Sequence, residues 1–342
     1  MVTDRDYGTP DLGTIRRALT LAGRAPSVHN TQPWRWEFDD NRLRLYRVQH
    51  RQLSVADPDG RQQAISCGAA LDHARLAFMS LGWFTFANRI PDAHQPDLLA
   101  VLEFRPWHGA LNQTAARVRA IAVRHTDRLP MAPPEDWPTV LDTLRELARP
   151  HHVTVDEIGA EHRRTLIAGT EHATALHRHD RAYQQELDWW SAGSGSFDGI
   201  PAAARASVAE AERVGVGRAF PSPPYSNRRP DLDDHSRLVV LGTAGHSPGE
   251  WMDTGEALSQ VLLECTHRGL ASCPLTHLTE SEATSTMVAD LLPHPAVPQV
   301  LIRIGTATRE GGRAPTPRRT LSDVFDHSTT ESGSTRENSS SR

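Results

Sequence analysis

Two rhythms of apolar residues run along the chain. Residues 43–48 alternate apolar and polar as a half-buried strand does, and 98–104, 153–158, 237–242 and 299–304 give further short strands. Helical spacing of apolar positions marks 12–21, 64–81, 137–148, 162–177, 202–213, 254–267 and 280–291, with Gly or Pro near several ends. The apolar run 118–123 reads as one more strand. Strands and helices do not follow the short βαβ beat of a doubly wound sheet, so the expected class is α+β. One echo recurs: Gly68-Ala69-Ala70-Leu71 stands fourteen positions ahead of Gly82, and Gly255-Glu256-Ala257-Leu258 fourteen ahead of Gly269. Each of these helical segments is followed by a strand, an arrangement that favours two related lobes.

With 342 residues the chain is long for one domain, which agrees with two lobes. A formal net charge of −5 offers no global basic field for nucleic acid and no polybasic anchor for a membrane surface. The start, 1–11, is polar, and no apolar run approaches the roughly 18 residues of a membrane span, so a cytoplasmic protein is expected. Cys67, Cys265 and Cys273 sit in or beside apolar segments without ligand spacing and read as buried thiols. All 37 basic residues of the Lys+Arg count are arginine. Lacking lysine, the chain cannot build a P-loop, a pyridoxal Schiff base or a kinase strand lysine, and any phosphate must be held by arginine, hydroxyls or backbone amides.

Candidate chemistry concentrates in a few stretches. Arg24-Ala25-Pro26-Ser27-Val28-His29-Asn30-Thr31-Gln32-Pro33-Trp34 sets several polar side chains between two prolines, which should stop the preceding helix near Arg24 and leave Trp34 to start a strand. Arg124-His125-Thr126-Asp127-Arg128 places two arginines and a hydroxyl within five residues, a sensible phosphate clamp. A further arginine pair, Arg318-Arg319, follows the last strand. The stretch 269–276 ends a helix at Gly269 and turns at Pro274, offering backbone amides beside Leu275 and Thr276. Between 189 and 230, Ser/Gly-rich and Pro-rich pieces flank one helical stretch and suggest a lid. The Ser/Thr-rich tail 326–342 reads as disordered. Histidine pairs His151-His152 and His177-x-His179 lack a third ligand at helical spacing, so no metal site is expected. Ser194 lacks the strand-elbow-helix frame of a hydrolase serine.

The pattern Pro-Ser-x-x-Asn-x-Gln-Pro-Trp, together with Asp57-Pro58-x-Gly60-Arg61 leading into Ser66-Cys67-Gly68-Ala69-Ala70-Leu71, the Arg124–Arg128 motif and Pro317-Arg318-Arg319, resembles the FMN-dependent nitroreductase superfamily over most of 14–325. Within it the chain is most similar to the actinobacterial Acg-like group. That resemblance implies a nitroreductase-like α+β fold in which two related lobes of one chain, 1–118 and 119–325, mimic the usual homodimer. It further implies a monomer with one FMN. Pro26, Ser27, Val28, His29 and Asn30 would come from the first lobe, and Arg124, His125, Thr126, Arg128, Pro274, Leu275, Thr276, Arg318 and Arg319 from the second. Val28 stands where a second serine is common, and Thr126 replaces a serine. The implied activity passes hydride from NAD(P)H through flavin N5 to a nitroaromatic, quinone or similar small acceptor, with no catalytic side chain. An alternative from another class is a flavin-sequestering or stress-associated binding protein with little turnover.

Overall fold

The computed structural model describes residues 8–109, 112–191, 198–221, 226–307 and 316–327. Its elements, in chain order, are α1 (Leu12–Ala22), β1 (Trp34–Asp39), β2 (Arg42–Arg47), α2 (Arg61–Ser80), β3 (Trp83–Arg89), β4 (Leu98–Pro106), α3 (Asn112–Val123), α4 (Trp137–Ala148), β5 (Thr154–Ile158), α5 (Arg163–His177), α6 (Arg181–Trp189), α7 (Val208–Val214), β6 (Arg237–Thr243), α8 (Pro248–His267), β7 (Ala271–Leu275), α9 (Glu282–Ala289), β8 (Val297–Gly305), α10 (Leu321–Val324) and β9 (Phe325–His327). Helix and strand form two sheets around a central helix pair, the α+β class expected. One sheet runs β3-β4-β2-β1-β9 and the other β5-β6-β8-β7.

Helices α2 and α8 are the axis of the molecule. Asp57 starts α2 by accepting hydrogen bonds from the backbone N–H of Gln62 (2.9 Å) and Gln63 (2.8 Å). A capping box between Ser247 and Glu250, with Pro248 in the first turn, starts α8. Both helices bury residues on nearly every side, so neither shows the one-sided stripe of a surface helix. They meet at their glycines. A Cβ on Gly68 would lie 3.0 Å from the Gly255 Cα, and one on Gly255 would lie 2.7 Å from the Gly68 Cα. The echo in the sequence is therefore a crossing point, where each helix lacks a side chain so that the other's backbone can approach.

A separate core lies against each sheet. Ile15, Leu19, Trp34, Trp36, Leu71 and Phe78 join α1 and α2 to the first sheet, while Leu144, Val239, Val261, Leu262 and Ile302 join α4 and α8 to the second. Buried Asp72 on α2 accepts from Ser259 Oγ (2.5 Å) and Gln260 Nε2 (2.5 Å) on α8, a polar tie across the pair.

Several expectations need correction. Residues 118–123 lie in α3, whose Ala120 and Ile121 pack between Leu76 of α2 and Leu263 of α8; a short apolar run does not itself distinguish strand from buried helix. Residues 271–275 form strand β7 rather than a turn, and Pro274 is tolerated because β7 is an edge strand paired only with β8. The stretch 202–213 divides into a 3-10 turn at Ala202–Ala204 and α7, which starts at a Ser207–Glu210 capping box. The expected boundary at 118/119 falls inside α3, and β9 returns to pair in parallel with β1 of the first sheet. Asp326 and His327, placed in the expected disordered tail, belong to β9, because parallel pairing with β1 satisfies their backbone; 328–342 lie outside the described residues. So do 192–197 and 222–225 of the Ser/Gly-rich and Pro-rich pieces.

Placing a Cβ in the crossing forces backbone against backbone, so Gly255→Ala is expected to destabilise the fold by about 3 kcal/mol or more, beyond ordinary overpacking. Urea denaturation checks this. Burial raises the Asp72 carboxyl pKa to about 6 despite its two hydrogen bonds. A pKa raised in the folded state stabilises below the unfolded value and loses that stabilisation as pH rises through about 6. Asp72→Asn is therefore expected to equal or exceed the parent in stability at pH 8 and to lose that advantage progressively as pH falls from about 6 toward 3.8, read from denaturation midpoints across pH.

Candidate functional site

The Pro26–Trp34 stretch is fixed by its own backbone and by α2. After α1 ends, a short 3-10 turn, Val28–Asn30, carries His29 at φ 46° and Asn30 at φ 58°, and Gln32 follows at φ 47°. Three non-glycine residues in the left-handed region carry strain, which the surroundings must offset. Ser27 Oγ accepts from the Gln32 N–H (3.0 Å), Ser66 Oγ on α2 accepts from the Val28 N–H (3.0 Å), and Arg51 Nε donates to the Thr31 carbonyl (2.7 Å). Trp34, fully buried, then opens β1 as expected.

This loop forms one wall of a cavity of about 520 Å³. Of the residues singled out in the sequence, Pro26, Ser27, Val28, His29, Asn30, Arg124, His125, Thr126, Arg128, Pro274, Leu275, Thr276 and Arg318 all line it. Arg319 does not. Its backbone N–H donates to Gln32 Oε1 (2.8 Å) and its guanidinium bonds the carbonyls of Gln32, Trp34 and Asp323, so it braces the loop from behind. Asn30 lines the cavity, yet its amide is engaged: Nδ2 donates to the carbonyls of Gly199 (3.0 Å) and Pro317 (3.1 Å), while Oδ1 accepts from Arg318 (2.7 Å). It ties three distant segments together.

Electrostatics at one end of the cavity are one-sided. Arg124 is 7% exposed, and its Nε and Nη1 are buried with no hydrogen-bond partner. Burial, then the nearby Arg24, lowers its pKa to about 10. Arg318 is lowered to about 9 by burial, then by Arg124 and Arg24, and its Nε is also unpartnered. Both guanidinium groups remain charged at neutral pH, and among the described residues no carboxylate pairs with either. Buried cations of this kind are costly unless an anion joins them.

His29 sits on the opposite side of the balance. Burial, then Arg218 and Arg128, holds its pKa well below the usual histidine value, so the ring is neutral. Its edge meets Phe220 at 5.3 Å, and Arg128 lies over the same phenyl ring at 5.3 Å. Phe220 belongs to 198–221, part of the expected lid, and Ile200, Pro201, Ala204, Arg218 and Ala219 of that stretch also line the cavity. Arg218 fastens it through a buried ion pair with Glu280 and a hydrogen bond to Tyr183 Oη (2.5 Å).

The second sheet supplies the remaining wall. Thr276 donates to Gln62 Oε1 on α2 (2.5 Å), which joins the end of β7 to the first turns of that helix. Arg303 of β8, 1% exposed, donates to Asp234 Oδ1 (2.6 Å) and to the Leu129 carbonyl (3.0 Å), holding the chain just beyond Arg128. Gln62, Ile65, Leu258, Val300 and Arg303 line the cavity but were not singled out as site residues. Their inward direction is set by helix and sheet packing, which local patterning does not display; Leu258 was carried only within the Gly255–Leu258 echo, and the lining residue Ser66 only within a quoted motif.

His151, Asp253 and Glu256 are close enough to suggest a metal. Glu256, however, already takes Arg75 and Arg89 at 2.5 Å each, and Arg89 also reaches Asp253 at 3.5 Å, so the group reads as an ion-pair network.

Comparison with known proteins decides the lineage. Over 313 residues the chain is 39% identical to the candidate NAD(P)H nitroreductase acg of Mycobacterium tuberculosis strain H37Rv, covering 91% of this chain and 95% of the relative. The chain belongs to the nitroreductase family. The Nitroreductase family model matches residues 163–306, from α5 to the end of β8. A second candidate NAD(P)H nitroreductase of the same strain is 36% identical over 324 residues, with 93% of this chain and 92% of the relative covered. Among solved structures, a nitroreductase candidate from Anabaena variabilis aligns over 89% of this chain and 90% of its own at 8% identity and a TM-score of 0.46. The FMN-dependent nitroreductase NfnB of Mycobacterium smegmatis, solved with NADPH, aligns over 64% of this chain and 100% of its own at 18% identity and a TM-score of 0.38.

Because the Arg218–Glu280 pair is buried, Glu280→Gln leaves a cation uncompensated. It is expected to cost about 3–5 kcal/mol locally and to speed amide exchange within 198–221 more than within α2. Hydrogen exchange read by mass spectrometry checks this.

Proposed function

We propose that this member of the nitroreductase family is an FMN-dependent oxidoreductase working between NAD(P)H and a nitroaromatic, quinone or similar small acceptor. The observation that carries the reading is the buried, unbonded Arg124 beside Arg318 at one end of the cavity, with no carboxylate among the described residues paired to either. A phosphate fits that deficit. Arginine forks hold phosphate oxygens in charge-assisted pairs, and the Thr126 hydroxyl lines the same cavity. FMN bound there would supply the two-electron exchange.

The protein's own part is to bind, orient and exclude water. Arg124 and Arg318 neutralise the phosphate. Ser27, whose oxygen already accepts from Gln32, keeps its hydroxyl proton for a ligand, whereas the Val28 N–H is spent on Ser66. Ile65, Pro274, Leu275 and Val300 give an apolar surface for a planar ring system. His29, neutral, adds no charge beside it. Both walls come from a single chain, which supports a monomer as the working unit.

A second reading is favoured by the closed 198–221 stretch, fastened by Arg218–Glu280 and, just beyond it, by Arg228–Glu210. Such a cover suits a protein that holds flavin with little turnover. Anaerobic mixing with NADPH or NADH separates the two: the oxidoreductase reading expects the visible flavin band to bleach, and a band that persists on turnover timescales retires it for the holding reading.

For the site itself, Arg124→Ala and Arg318→Ala each remove charge-assisted bonds worth about 1.5–3 kcal/mol, so each is expected to weaken FMN binding by roughly tenfold or more. Arg319→Ala is expected to change FMN affinity less than either, since that side chain stands behind the loop. Fluorescence titration of free FMN measures all three, and unchanged affinity in the first two would sink the assignment.

A further inference from the structure

The cavity reaches exposed residues on α5 and α7. Ile167 and Glu171 on α5 line it, and so do Val208, Ala211 and Glu212 on α7. Ile167 and Glu171 are four residues apart, as are Val208 and Glu212, so each helix turns one stripe toward the cavity, an apolar residue followed by a carboxylate. The helices are held together beside it: Arg163 on α5 donates to the Val214 carbonyl (3.4 Å), and Gly215 packs so closely on Ile167 that a Cβ there would stand 2.9 Å from its side chain. Glu171, Val208, Ala211 and Glu212 are exposed, which marks them as the rim rather than the floor.

Among the described lining residues that are exposed, Glu171 and Glu212 are the only ones with a carboxylate or a guanidinium. Neither makes an ion pair or hydrogen bond with any described residue, so their charge is not cancelled locally. The other exposed lining residues are His125 and the apolar Val208, Ala211 and Ala219, with Val208 62% exposed. Deeper in the same cavity lies the buried, unbonded Arg124, which independently points to a ligand inside. A negative rim thus precedes a positive interior end.

We propose that Glu171 and Glu212 are specificity-determining residues of the acceptor entrance, admitting cationic and uncharged planar aromatics and rejecting anionic ones. The proposal rests on the flavoenzyme reading above. With FMN phosphate neutralising Arg124 and Arg318 and Glu280 pairing Arg218, the exposed Glu171 and Glu212 are met by an incoming ring before the less exposed Arg128, which lies over Phe220. Acting across partly hydrated space, together they are expected to separate oppositely charged isosteres by about tenfold in dilute buffer, less in concentrated salt.

Equilibrium dialysis of the purified protein, FMN-loaded and kept oxidised without NAD(P)H so that nothing turns over, provides the test. The probes are 4-nitrobenzylamine, 4-nitrobenzyl alcohol and 4-nitrobenzoate, which present one ring with a positive, neutral or negative end at pH 7. Wild type is expected to bind the amine about tenfold tighter than the benzoate. Glu171→Gln/Glu212→Gln is expected to shrink that ratio to about twofold while leaving the alcohol's affinity unchanged. Both side chains are exposed, so folding is not at stake. Equal binding of amine and benzoate by wild type, or a ratio that survives the double variant, overturns the proposal. The visible spectrum of the same sample judges the flavin reading separately: carboxylate-dependent discrimination in a protein that takes up no flavin would retire that reading and leave the rim's role standing.

Discussion

The close crossing of α2 and α8 at Gly68 and Gly255 is the constraint on which the site depends. Backbone meets backbone there, and the distance between the two sheets follows from it. From α2, Ser66 accepts from the Val28 N–H and Gln62 accepts from Thr276, so one helix positions both the Pro-Ser loop and the end of β7. A shift of α2 by the width of a methyl group would move the two cavity walls relative to each other. The glycines therefore act on function through geometry and contribute no chemistry themselves.

Around that axis the protein uses arginine for tasks of very different kinds. Arg61 is buried and satisfied, donating to the carbonyls of Gln299 (2.7 Å) and Thr279 (2.9 Å), and Arg303 pairs with Asp234. Arg319 braces backbone carbonyls. Among the described residues, Arg124 alone combines deep burial, charge and an unbonded guanidinium on the cavity, with Arg318 beside it. Arg61 and Arg303, equally deeply buried, have their partners, so the exception is the informative one.

Much of this was legible in the sequence because the relevant signals are local. The helices of α1, α2, α4, α5 and α8 showed their spacing, and Trp34 opened β1 as expected. Thirteen of the fourteen residues singled out line one cavity, although they lie as far apart as Pro26 and Arg318. What was hidden depends on tertiary packing. Residues 118–123 were apolar enough for a strand, and only their place between α2 and α8 makes them helix. Pro274 looked like a turn because its tolerance in a strand depends on β7 lying at a sheet edge. Arg319 carried the same side chain as its neighbour Arg318, but adjacent residues leave the backbone in different directions, and one faced the loop's back. Gln62, Ile65 and Val300 belong to ordinary helix and strand patterns, so nothing marked them as lining.

The central claim is that one chain builds one complete flavin site. Sedimentation velocity monitored both at the visible flavin band and in the protein ultraviolet tests it most directly, because it reports the cofactor and the mass of the species carrying it together. The account predicts flavin moving with a single chain at one FMN per protein molecule. Flavin carried only by a dimer, or by no protein species even after incubation with excess FMN, would contradict it.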